Sequence, residues 1–187
     1  LPQNEWVIIG ISGVTCGGKT SLSNRLKENI TPVYLFHQDQ YFYPDDSPHH
    51  VKCKGLDHNN YDILSSLNMD KMYKDILDTI EGDNKSDDIC LEDGKNKFKI
   101  SGKKFLVVEG FTVILNNCLD AVCNCIVTYY FVLEYGECAM RRCYRVYDPP
   151  DIPGYFEQCV WPEHIKYRRD CFIYAIINFE TSEQRNI

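Results

Sequence analysis

Residues 6–11, Trp-Val-Ile-Ile-Gly-Ile, form an apolar run broken by one glycine, and Gly13-Val14-Thr15-Cys16-Gly17-Gly18-Lys19-Thr20 follows at once. A buried strand that passes through a glycine-rich turn into a helical pattern leaves few folds open. The glycines let backbone N–H groups turn inward and form a nest for anionic oxygens. The helix that begins next points its positive end at the same spot. Lys19 is a mobile point charge that can reach β- and γ-phosphates. The hydroxyl of Thr20 can ligate Mg²⁺, and Ser21 opens the helix beside it. A glycine-rich turn can be merely structural, but the strand before this one and the helix after it make it a phosphate loop for a nucleoside triphosphate.

The rest of the chain alternates between two hydrophobic periods. Residues 21–29 read as a helix, 33–37 as a short strand, and 39–60, rich in Asp, His, Pro, Tyr and Asn, as a long functional loop. A helical pattern begins at Leu64, with Gly82 as its stop. Residues 83–104 are polar and read as a flexible connection holding a small hairpin. Residues 105–108 and 125–133 read as strands, 135–146 as a basic helix and 148–154 as a proline-rich loop. Pro162 suits the first position of a helix running to about Cys171, and 172–179 read as a last strand. Strands alternating with helices predict a single α/β domain over residues 1–187 with a mostly parallel central sheet.

With 187 residues, 44% hydrophobic, the chain can bury a core of ordinary size. Its net charge of −7 makes it a poor non-specific binder of nucleic acid or of an anionic membrane surface. No apolar run reaches the roughly 20 residues of a membrane helix, and residues 1–5 lack the layout of a signal peptide. The ten cysteines are scattered without a C-x-x-C pair, so they are expected to be free, mostly buried thiols of a cytoplasmic protein rather than a zinc site or a disulfide framework.

An acidic chain that holds a triphosphate must concentrate positive charge locally. Arg141, Arg142 and Arg145 do so, either as a phosphate clamp or as a surface ion-pair face. Asp39 follows the second strand at its carboxyl end, where ligands bind in open α/β sheets. It could accept the proton of an acceptor hydroxyl, sit in a Mg²⁺ shell, or simply cap a turn. Glu109 ends the strand over 105–108, as an acid that polarises the metal or as a solvated strand end. Asp148 and Asp151 flank a Pro-Pro pair, which is a rigid surface turn or part of a substrate site.

The motifs in order resemble one family. Ile8-Ile9-Gly10-Ile11-Ser12-Gly13-Val14-Thr15, Gln38-Asp39, Tyr61-Asp62, Leu67-Asn68-Met69 and Val108-Glu109-Gly110-Phe111 are followed by Arg145-Val146-Tyr147-Asp148-Pro149-Pro150-Asp151, Pro153-Gly154-Tyr155-Phe156 and Val160-Trp161-Pro162. Over residues 6–168 the chain looks like the nicotinamide riboside kinases, within the uridine kinase-like P-loop nucleoside kinases. That resemblance implies a P-loop NTPase, nucleoside/nucleotide kinase-like three-layer fold with a small lid at about 138–160. It implies a monomer with ATP and Mg²⁺ as cofactors and a small nucleoside as substrate. The implied activity is phosphorylation of the 5′-hydroxyl of nicotinamide riboside, and of nicotinic acid riboside as a further candidate.

The resemblance also assigns roles. Lys19, Asp39 and Glu109 would be catalytic, with Asp39 the proton acceptor, and Thr20 and Asp39 would hold the metal. Gly13 to Ser21, Arg141 and Arg145 would face ATP. Asp39, Gln40, Tyr41, Phe42, Tyr61, Asp62, Arg142, Tyr147 and Asp148 would line the nucleoside site. The bottom-up chemistry agrees, since a pyridinium ring suits tyrosine faces such as Tyr61 and Tyr147 and nearby carboxylates. The chain departs from the family at Cys16-Gly17, where Asn-Ser is commoner, and at Gln40, where a second acid is usual. After Arg168 the match weakens, and the family's last helix is expected to be absent. A uridine or cytidine kinase and a nucleotide-binding regulatory protein without catalysis are the competing readings.

Overall fold

The computed structural model describes residues 5–82, 89–90, 97–113 and 126–171. The strand expected at 172–179 and most of the connection at 83–96 lie outside them. The elements run β1 (Trp6–Gly13), α1 (Lys19–Asn29), β2 (Val33–His37), α2 (Met69–Glu81), β3 (Ile89–Cys90), β4 (Lys104–Glu109), β5 (Ile126–Phe131) and α3 (Tyr135–Cys143). A π-helical turn, Phe156–Val160, then continues into α4 over 161–171.

The strands form one sheet in the order β3-β2-β4-β1-β5, with β2, β4, β1 and β5 parallel and β3 antiparallel at the edge. This is an α/β fold with a parallel centre, as the sequence pattern predicts. Alternation along the strands builds the layers. Trp6, Ile8, Phe36, Leu106 and Val108 pack with Met72, Ile76 and Ile80 of α2 on one face. Ile11, Val33, Leu35, Phe105 and Val107 face the other way, toward Leu22 and Leu26 of α1. Burial on both faces explains why these strands read as continuous apolar runs. Each fully buried side chain of this size contributes roughly 1.5–3 kcal/mol.

Several boundaries move for local reasons. α2 starts at Met69, not Leu64, because Asn68 caps it by accepting from the N–H of Lys71 at 3.0 Å, after a short 3₁₀ turn at Leu64–Ser66. Its end at Gly82 is a left-handed cap with φ 87°, as expected. α3 stops at Cys143 rather than 146, since Tyr144 and Val146 are 85% and 92% exposed and offer no buried face to hold another turn. The last helix begins before Pro162, through the π-helical turn.

One expectation about cysteine is corrected. Cys53 and Cys159, both buried, are joined by a disulfide across a separation of 106 residues, while Cys16, Cys138, Cys143 and Cys171 are free. Folding brings the loop over 51–60 against the π-helical turn, a proximity that scattered spacing cannot reveal. Among the described residues, no helix is long and apolar enough to cross a membrane.

His164 is buried in α4 beside Trp161, at a centroid separation of 5.2 Å. Burial first, then the charges of Arg168 and Lys19, push its pKa down to about 4. The folded state therefore binds fewer protons than the unfolded chain between roughly pH 6.5 and 4, and stability falls as pH drops through that window. His164→Asn should remove up to about 3 kcal/mol of that acid-side loss. Urea midpoints for both proteins across pH 4–7 test this, and parallel curves would refute it.

Candidate active site

The sheet order places the site. β1 leads through α1 to β2, on the far side of β4, while β5 lies on the opposite side of β1. The crevice at such a switch point opens beyond the carboxyl ends of the strands. The glycine-rich loop follows β1, Asp39 follows β2 and Glu109 ends β4, so three strand ends deliver them to one cleft.

The loop is held by its neighbours. Gly13 has φ 126°, and a Cβ there would strike the backbone of Phe131 on β5, which explains the glycine. Val14 N–H donates to Phe131 O at 3.0 Å. Gly18, with φ 98°, turns the chain into α1. Among the described residues, the N–H groups of Gly18, Lys19, Thr20 and Ser21 have no backbone acceptor, so they are available to an anion. From the other side, Arg141 donates to Cys16 O at 3.3 Å and the Cys138 thiol approaches Thr15 O at 3.4 Å.

The charges converge here. Lys19 folds back to donate to Val14 O at 2.9 Å, and burial pulls its pKa below the ordinary lysine value against the opposing pull of Asp39 and Glu109. Glu109 is buried and accepts from Thr20 Oγ1 at 3.1 Å. It also sits 2.7 Å from His37 Nδ1, because His37 and Glu109 are partners in the β2–β4 register. Asp39 lies at the open surface of the cleft yet is walled by protein. Desolvation first, then the charge of Glu109, raise its carboxyl pKa. A carboxylate so placed is a stronger proton acceptor than one in free solvent.

Beyond Asp39 the cleft is lined by Asp62, Tyr61, Phe42, Arg142, Tyr147 and Tyr155, among others. The Tyr155 hydroxyl donates to Asp62 Oδ2 at 2.9 Å and accepts from Tyr61 N–H at 2.9 Å. Arg142, buried, forms a two-pronged bond to Asp151 at 2.6 and 3.0 Å and donates to Thr15 Oγ1 at 3.1 Å. Its guanidinium lies 4.2 Å from the centre of the Tyr147 ring, with Arg145 at 5.3 Å. Tyr147 thus spends its ring on arginine and its hydroxyl on Thr15 Oγ1 at 3.2 Å. This tyrosine stitches the turn after α3 to the phosphate loop.

No family model matches the chain. A solved structure described as a possible uridine kinase from Bacillus stearothermophilus is similar at a TM-score of 0.46 and 15% identity, over 87% of this chain and 81% of that one. Nicotinamide riboside kinase 1 of Homo sapiens is 37% identical over 163 residues, which span 87% of this chain and 77% of that protein. Nicotinamide riboside kinase 2 of Mus musculus is 33% identical, over 88% and 80%. The chain belongs to the nicotinamide riboside kinase family.

Several residues assigned by resemblance to that family meet in the cleft: Thr15, Lys19, Thr20, Asp39, Phe42, Tyr61, Asp62, Glu109, Arg142, Arg145, Tyr147 and Asp148. Nine do not line it: Gly13, Val14, Cys16, Gly17, Gly18 and Ser21, which contribute backbone to the loop and helix start, and the side chains of Tyr41, Gln40 and Arg141. Tyr41 is buried in the core against α2, donating to Asp75 Oδ2 at 3.1 Å, because the 3₁₀ turn at Gln38–Tyr41 rotates it inward. Gln40 on the same turn is exposed, and Arg141 pairs with Glu137 at 2.7 Å along α3 and meets the phosphate loop at Cys16 O rather than lining the cleft. Sequence reasoning missed His37, Tyr155 and the Arg142 partnership of Asp151. Tyr155 lies within the Pro153-Gly154-Tyr155-Phe156 motif, but nothing in spacing says that its hydroxyl reaches Asp62.

The oxygen donors fit a magnesium ion of the kind such kinases use. Among the described residues, no group of three or more His, Cys, Asp or Glu side chains is arranged to hold a metal alone. Mg²⁺ keeps several waters and binds through one or two protein oxygens plus phosphates, which Thr20 and Asp39 can supply.

Asp151→Ala should leave the buried Arg142 guanidinium short of two acceptors. A loss of about 1–3 kcal/mol in unfolding free energy is expected, and less for Asp151→Asn, which keeps one acceptor. Denaturant midpoints check this, and an unchanged midpoint for the alanine variant would show that the pair adds nothing.

Proposed function

We infer that this chain transfers the γ-phosphoryl group of ATP to the 5′-hydroxyl of nicotinamide riboside, giving nicotinamide mononucleotide. The observation that carries the reading is one cleft in which Lys19, Thr20 and the loop N–H groups face Asp39, with Asp62 and an aromatic wall beyond. Kinship with kinases of this name supports the acceptor, and it weighs against the uridine kinase alternative.

The chain's own groups divide the work. The loop N–H groups and Lys19 hold the phosphates, and Arg145 adds positive charge from the opposite wall. Asp39 orients the acceptor hydroxyl and takes its proton. Its raised pKa matches it to that task better than an ordinary aspartate. Glu109 fixes the Thr20 hydroxyl and shares His37, which orients the metal side of the site. Mg²⁺, held by Thr20 and Asp39, would neutralise charge on the phosphate oxygens. Asp62, fixed by Tyr155, is placed to accept hydrogen bonds from ribose hydroxyls. The turn after α3, pinned by Arg142 and Tyr147, closes the cleft as its lid.

Asp39→Ala should lower turnover by about 10²–10⁴-fold while leaving affinity for an ATP analogue largely intact. Coupled ADP-release assays and titration calorimetry measure the two separately. A variant with near-normal turnover would remove Asp39 from its role. ADP release with uridine but not with either pyridine riboside would remove the acceptor.

A further inference from the structure

His58 is a buried histidine whose two ring nitrogens both face backbone carbonyls. Nδ1 lies 2.7 Å from Asn59 O, and Nε2 lies 3.3 Å from Pro150 O, 92 positions along the chain. A carbonyl only accepts, and a neutral imidazole carries a single N–H. Only the doubly protonated ring can therefore donate to both. The neutral ring must give one bond up, and local structure decides which. The Asn59 carbonyl is held on the same loop as His58, where Lys52 and Asn59 form a β-bridge, Cys53 N–H donates to His58 O at 2.9 Å and Asn60 N–H donates to Val51 O at 2.7 Å. That contact is short and preassembled, so the last proton stays on Nδ1. Nε2 then turns a bare lone pair on the Pro150 carbonyl, in a residue only 8% exposed, and the contact becomes repulsive.

Pro150 belongs to the turn after α3, which Asp151 joins to Arg142. His58 is thus a cross-link between that turn and the loop over 51–60, itself tied to the helical segment by the disulfide at Cys53. We propose that His58 is a positioning residue that latches the turn after α3 onto the loop over 51–60 only while both ring nitrogens are protonated, so that closure of the cleft over the acceptor weakens as pH rises. The latch rests on the reading above of that turn as the lid. Titratable and charged groups stand on every element packed against the ring. Tyr155 and Tyr61 lie 4.5 and 5.6 Å away between ring centres, Asp62 accepts from the Tyr155 hydroxyl, and the His50 ring is 4.9 Å from Tyr61. The turn carries Asp148 and Asp151, the latter bonded to Arg142, and the loop carries Asp57, paired with Lys52. Changing His58 alone separates its titration from theirs.

His58→Phe keeps an aromatic ring beside Tyr155 and removes both donors. His58→Gln keeps a neutral N–H₂ donor for Pro150 O at every pH. The test measures kcat/KM for nicotinamide riboside at saturating ATP with all three proteins, from about pH 5.5 to about pH 8.5, where histidine changes charge. Ratios between proteins cancel the titration of Asp39 and of the other groups they share. The wild-type-to-Phe ratio should fall toward one by about 3–10-fold as pH rises, the worth of one hydrogen bond, while the Gln-to-Phe ratio stays flat. Long-range ¹H–¹⁵N spectra of the wild-type histidine rings read the protons directly, with the His58 signals assigned by their loss in His58→Gln. They should show protons on both nitrogens at the acid end of that range and on Nδ1 alone at the alkaline end. A neutral ring protonated at Nε2, or a wild-type-to-Phe ratio that does not change with pH, would overturn the proposal. Neither result touches the acceptor reading, which fails instead if the wild type releases no ADP with either pyridine riboside.

Discussion

The electrostatic knot of Lys19, Asp39 and Glu109 is the constraint on which the rest of the site depends. One ammonium and two carboxylates meet in a partly desolvated cleft, each delivered by a different strand end. Burial alone would push Lys19 toward its neutral form, and the two acids oppose that. The same Glu109 charge keeps Asp39 basic. These opposing shifts require the strands to end in register, and the β2–β4 ladder, which ends on His37 opposite Glu109, holds that register. The apolar faces packed on α1 and α2 hold those strand ends in place.

A second set of contacts joins the turn after α3 to the glycine-rich loop and Tyr155 to the segment around Tyr61 and Asp62. Arg142 bonds Asp151, reaches Thr15 and stacks on Tyr147, while Tyr155 joins Asp62 to the Tyr61 backbone. The disulfide between Cys53 and Cys159 ties the loop over 51–60 to the helical segment behind Tyr155. The cleft is therefore a joint product of loops that are distant in sequence.

Legibility in the sequence followed how local each feature is. The strand before the glycine-rich loop, the helix after it, the runs at 33–37 and 105–108 and the Gly82 stop are written in residue order. The structure differs from them by a few residues. Cap chemistry moved the start of α2 to Met69, since the Asn68 bond outweighs the apolar pattern that begins at Leu64. What could not be read were contacts made across the fold. The inward turn of Tyr41 depends on a 3₁₀ turn, the Tyr155 hydroxyl reaches a residue 93 positions away, and the disulfide spans 106. Tyr147 fits its motif position, yet its ring is engaged by arginine, which only the packed geometry displays.

The central claim is that a phosphoryl group leaves the loop end of this cleft and arrives on the 5′-oxygen of a pyridine riboside at the other. The most direct measurement is a ¹H–³¹P correlation spectrum of the product made from ATP and nicotinamide riboside. The account predicts one new phosphomonoester resonance coupled to the two 5′ protons of the ribose. A phosphate on the 2′- or 3′-oxygen, or inorganic phosphate alone, would contradict it.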